Sequence, residues 1–136
     1  MTGLTDLEEM LRTLGPEVRE GEFAYVSVPA EQAGSLPAEA LVREAEGTTV
    51  VLRRQDADAA GLPYDFVAGW ITLTVHSALE AVGLTAAFAE ALGRAGISCN
   101  VLAGFHHDHL LVPVGRVDDA VQALWDLAAR HGPPLR

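Results

Sequence analysis

The sequence predicts an α+β protein made of two related units, and three observations carry that prediction. Between Trp70 and Val112 the hydrophobic period changes from two to about 3.6 and back, which reads as strand, helix, strand, strand. A second helical pattern follows from Arg116 to Arg130. The first half repeats the strand patterns of the second: FAYVSVPA (Phe23 to Ala30) aligns with WITLTVHS (Trp70 to Ser77), and TVVLRRQDADAAGL (Thr49 to Leu62) with HLLVPVGRVDDAVQAL (His109 to Leu124). The first half is shorter by about one helix, so it reads as a copy whose first helix is reduced to a loop.

Taken in order, Leu4, Leu7, Leu11 and Leu14 share one face of a short helix that Thr5 or Asp6 can cap and Gly15-Pro16 stops. Glu22 to Val28 alternates as a strand, Pro29 to Pro37 is a loop, and Ala40 to Glu44 is a short second strand. Glu46-Gly47 turns the chain into Thr48–Arg54, a strand rich in β-branched residues. Asp56 to Gly61 is one or two helical turns, and Leu62-Pro63-Tyr64 links to the second half. There Ile71, Leu73 and Val75 point one way and Trp70, Thr72 and Thr74 the other. A polar loop from His76 ends at Gly83. The helix after it turns Leu84, Ala87, Phe88, Ala91, Leu92 and Ala95 inward, with Glu90 and Arg94 paired outside. Gly96 caps it. Ile97, Cys99, Val101 and Ala103 alternate as a strand, a hairpin spans Gly104 to His109, and Leu110-Leu111-Val112 returns. In the last helix Val117, Ala120, Val121, Leu124, Leu127 and Ala128 face inward, Asp118 and Asp119 suit the first turn, and the tail after His131 frays.

The 136 residues are 49% hydrophobic, enough to bury a sizeable core in one ordinary domain or two small fused ones. No apolar run approaches the ~20 residues of a membrane span, and the acidic start is no secretory signal, so a cytoplasmic location is expected. A formal charge of −10 disfavours nucleic acid and anionic membrane surfaces, whose phosphates want a basic stripe. The acids concentrate before residue 70, and all the basic side chains apart from histidine are arginine. Cys99 is the single cysteine, which excludes an internal disulfide and an all-cysteine zinc site; its inward position reads as a small buried hydrophobe.

The βαββα order, Gly83 at the first strand-to-helix turn and the run AGISCNVLAGFHHDHLLVP resemble the ACT domain, the small-molecule regulatory module. The pattern is similar to the ACT repeats of aspartate kinases. ITLTVHSALEAVGLTAA with GISCNVLAGFHHDHLLV, preceded by GEFAYVSV and REAEGTTVVL, resembles small stand-alone bacterial tandem-ACT proteins over nearly the whole chain. The resemblance implies two fused ferredoxin-like βαββαβ units, with antiparallel sheet covered by helices on one face and the first unit reduced. The expected boundary separates residues 1–63 from 64–136. It also implies a regulatory or sensing role, binding an amino acid or similar metabolite between ACT units. Catalysis is not implied, and no cofactor is.

The loop His76 to Gly83 is the leading candidate site. A loop entering a helix N-terminus presents unpaired N–H groups and partial positive charge, which suits a carboxylate. Gly83 would allow close backbone approach, Val82, Leu84 and Thr85 would offer amides or a hydroxyl, and Glu80 would meet an ammonium. With His76 and Ser77 these residues form the expected ligand set. The competing reading is that Ser77 caps a turn and Gly83 only satisfies its dihedral angles. In the hairpin, His107 and Asp108 are expected to line the ligand groove, and Asn100 to read a polar end. His107 and His109 alone are too few for a closed metal site, so no metal is expected. No Ser-His-Asp or paired-carboxylate spacing stands out as a catalytic set, and an enzyme is not expected. The expected partners are a small-molecule ligand and a second copy of the chain in a homodimer. The rival function is a structural or protein-interaction module without a ligand site.

Overall fold

A computed structural model describes residues 6–132. In chain order it contains α1 (Leu7–Arg12), β1 (Pro16–Val28), α2 (Ala30–Ala33), β2 (Ala38–Arg43), β3 (Thr48–Arg53), α3 (Arg54–Ala59), β4 (Val67–Leu73), α4 (Leu84–Arg94), β5 (Asn100–Ala103), β6 (Asp108–Pro113), a 3-10 turn (Val114–Arg116) and α5 (Val117–Ala129). The fold is α+β with antiparallel strand pairing. The chain divides into a larger unit, residues 6–19 with 69–132, and a smaller one, residues 20–68.

In the larger unit the opening of β1 neighbours β4, and the order continues through β6 to β5. Ile71 and Leu73 from β4, Val75 two residues beyond its end, Leu110 and Val112 from β6, and Leu84, Phe88, Leu92, Ala120, Leu124 and Leu127 from α4 and α5 form one buried cluster. Thus the alternation seen in the sequence puts one face of these strands under the helices. Met10, Leu11 and Leu14 from the α1 region belong to the same cluster. The Asp6 side chain caps α1, accepting from the amides of Glu8 at 3.0 Å and Glu9 at 3.4 Å. Beyond the helix, Thr74 N–H donates to Gly15 O at 2.9 Å and Val75 N–H to Leu14 O at 3.3 Å. Leu4, Thr5 and residues 133–136 lie outside the described range.

The smaller unit orders its strands β2-β3-β1. Val26 pairs with Val50 and Ala24 with Leu52, so their side chains share a face and pack with Ala33 of α2 and Ala57 of α3. Within the expected loop from Pro29 to Pro37, a single helical turn, α2, buries Ala33. It shows no amphipathic period because one turn has no room for one.

The opening of β1 differs as well. β1 begins at Pro16, six residues before the expected Glu22, because its first seven residues are mostly exposed and give no alternation. In packing, residues 6–19 belong with the larger unit, since α1 brings Met10, Leu11 and Leu14 to its cluster. Hydrophobic periodicity marks the inward face of a helix but not which core receives it.

Candidate functional site

Where β4 gives way to α4, a small cleft is lined by Ser77, Ala78, Leu79, Ala81, Leu84 and Thr85 on one side and Ala103, Gly104 and Asp108 on the other. Its volume is about 70 Å³. Drug-sized ligands occupy pockets of about 300–1,000 Å³, so this cleft has room for only one end of such a molecule. No side chain caps the N-terminus of α4, and its first turn carries no acidic residue. The free amides of that turn, with the helix dipole behind them, therefore favour an anionic group.

Asp108 provides the opposite charge. It is half-buried at the start of β6, and burial raises its pKa above the ordinary carboxylate value, against the lowering influence of His109 and His107. Asp108 and the first two residues of α4 line the same cleft. A ligand carrying a carboxylate and an ammonium can engage both.

Of the residues expected from the sequence, the cleft gathers Ser77, Leu84, Thr85 and Asp108. His76 and His107 stand beside it, their rings 6.1 Å apart, with His106 5.6 Å from His76. His107 Nδ1 lies 3.3 Å from Val75 O, so it is the protonated ring nitrogen that donates there. Glu80 and Val82 are exposed and do not line the cleft. Asn100 is exposed and pairs with Leu111 at the end of β5 remote from Ala103, so it is not brought to the loop. Gly83 has φ 97°, and a Cβ there would stand 3.0 Å from Leu7 Cδ2. The left-handed turn and the packing of α1 thus account for this glycine without a ligand.

Family models described as the ACT domain match residues 2–69 and 65–126. A Vibrio cholerae protein of unknown function, described as a possible transport protein, is 44% identical, with a TM-score of 0.82 over 90% of this chain and 95% of that one.

The chain belongs to the ACT-domain family.

An Agrobacterium tumefaciens protein (19% identity, TM-score 0.62, 90% and 91% of the two chains) shares the fold. So does the ligand-free regulatory subunit of aspartate kinase from Thermus thermophilus (9% identity, TM-score 0.64, 85% and 98%). No curated protein sequence matches at a significant level. ACT domains are typically regulatory, small-ligand-binding domains.

The hairpin expected from Gly104 to His109 owes its shape to Gly104. Its N–H donates to His107 O at 2.9 Å, and a Cβ would meet that oxygen at 2.9 Å and His109 Nε2 at 3.2 Å. His109 points away from the cleft. Its Nδ1 lies 3.3 Å from Trp70 Nε1 and 3.0 Å from Thr72 Oγ1. Trp70 Nε1 also lies 3.2 Å from Thr72 Oγ1, so indole, hydroxyl and imidazole form one network. Burial lowers the His109 pKa, with the charges of His107 and Arg19 acting the same way. Cys99 packs against the core, and burial pushes its thiol up to about 11, which keeps it protonated at neutral pH. Among the described residues no group of three or more His, Cys, Asp or Glu is placed to hold a metal ion, and no helix is long and apolar enough to cross a membrane.

Proposed function

We propose that this ACT protein is a non-catalytic sensor of an amino acid, held at the cleft between the β4–α4 loop and the β5–β6 hairpin. The observation that carries the reading is the convergence of an uncapped helix N-terminus and the half-buried Asp108 on one small recess. The α-carboxylate sits on the amides of Leu84 and Thr85, and the ammonium on Asp108. Asp108 takes the role expected of Glu80, which is exposed on the loop.

A cleft of about 70 Å³ leaves a ligand side chain uncovered. Small-molecule sites bury most of the ligand, so a second wall is required. A second copy of the chain is the proposed supplier. In support, Leu79, Val82 and Phe105 stand 66%, 82% and 72% exposed on the loop and hairpin that frame the cleft. Apolar side chains grouped in this way mark a contact surface.

Thermal denaturation with each of the twenty amino acids in turn tests the reading. A ligand at 100 times its Kd adds about 2.7 kcal/mol to stability, a rise of several degrees in Tm. Asp108→Asn should abolish the rise. If no amino acid shifts the folded protein, the amino-acid reading fails.

A further inference from the structure

We infer that the smaller unit carries a second binding site, separate from the ACT cleft, for a zwitterion such as a free α-amino acid. It lies where β3 passes into α3, in a pocket of about 250 Å³ lined by Gly21, Glu22, Arg53, Arg54, Gln55 and Asp58. The two arginines are employed differently. Arg54 is committed to the pocket wall: Nε donates to Tyr64 Oη at 2.9 Å and Nη1 to Glu22 Oε1 at 2.9 Å. Tyr64 Oη in turn donates to Asp58 Oδ1 at 2.6 Å.

Arg53 is not committed in that way. Its guanidinium lies over the Phe23 ring at 5.1 Å, and Nη1 donates to Glu20 O at 3.1 Å. A guanidinium has five donors, and among the described residues the others have no hydrogen-bond partner. The position is built into the chain. Gly21 has φ 106°, and a Cβ there would come within 2.4 Å of Arg53 Nη1, so only glycine lets the guanidinium lie against this strand. A cation with spare donors, seated in a pocket, fits a carboxylate.

The same pocket supplies the other half of a zwitterion site. Glu22 and Asp58 each use one carboxylate oxygen in the wall, leaving Oε2 and Oδ2 able to accept from an ammonium. Two carboxylates beside two guanidinium groups leave no net positive charge at the site. A phosphate dianion is repelled by Glu22 and Asp58, whereas a molecule with one charge of each sign is matched at both ends.

The test is titration of the 15N-labelled full chain with glycine and L-alanine, and separately with acetate, methylammonium and inorganic phosphate at matched ionic strength. The expected result is saturable shifts at the amides of Gly21, Glu22, Gln55 and Asp58 for the amino acids. The half-ligands should bind roughly tenfold more weakly or worse, because each forms only one of the two charge-assisted contacts. Arg53→Lys keeps the charge but loses the planar fork, and with Asp58→Asn it should weaken these shifts by a similar factor. Neither variant should alter shifts at residues 77–85 and 103–108. Absence of saturable shifts at the pocket overturns the proposal, as does phosphate binding as tightly as glycine or binding unchanged in both folded variants. Loss of the cleft response alone would leave this site standing.

Discussion

Asp108 is where stability and binding pull in opposite directions. Its pKa is raised by burial, so the ionised form costs folding free energy above that pKa and the cost disappears as pH falls through it. Asp108→Asn should therefore raise the Tm of the unliganded protein at neutral pH while removing the proposed ammonium partner. Thermal melts without ligand check the first half of that statement. His109 has the opposite acid behaviour. Its folded pKa lies below the ordinary 6.5, so its contribution is fully present above 6.5 and is lost as pH falls through the folded value. His109→Gln should flatten the fall in urea-unfolding stability between neutral and mildly acidic pH. Gly83 follows another logic: at φ 97° any Cβ is strained and meets Leu7. Gly83→Ala should cost about 1–2 kcal/mol from the left-handed backbone alone, measurable by chemical denaturation without ligand. Loss of binding in a Gly83 variant is thus no evidence that the glycine touches a ligand.

Among the elements, those with long regular patterns were legible in the sequence. α4 was expected over 84–95 and ends at Arg94; α5 was expected over 116–130 and spans Val117–Ala129. Both present enough turns for an inward stripe to show. The opening of β1 and the single turn of α2 have no such stripe, and neither was found. At the site, the loop, Thr85 and Asp108 were legible because helix entry and a polar hairpin are local features. The displacement of Glu80 and Asn100 from the cleft depends on how the loop closes and on strand register, which local pattern does not fix. α1 shows the same limit, since its leucines mark an inward face but not the core they enter. Leu14 is fully buried in the larger unit's cluster. Leu14→Ala should cost about 2–5 kcal/mol. A fragment of residues 64–136 lacks Met10, Leu11, Leu14 and the strand beside β4, and should give a poorly dispersed amide spectrum. A well-dispersed spectrum would show that α1 is dispensable to that core.

On the scale of the whole molecule, two ACT units are carried on one acidic chain, and regulation requires that a ligand alter something larger than itself. In the proposed dimer the exposed Leu79, Val82 and Phe105 would offer the means, because a second copy covering them would also cover the cleft. Ligand and dimer are then linked, each stabilising the other by the same coupling free energy. Sedimentation should show a monomer–dimer equilibrium shifted towards dimer by the amino acid that raises Tm, and Phe105→Asp should weaken both dimer and ligand binding. The most direct measurement is calorimetric titration of the wild-type chain and Asp108→Asn with the amino acid that gives the largest thermal shift. Saturable binding to the wild type, lost or weakened by more than about tenfold in a folded Asp108→Asn variant, is the predicted result. Unchanged affinity in that variant would contradict placement of the ammonium at Asp108 and remove the cleft as the sensing site.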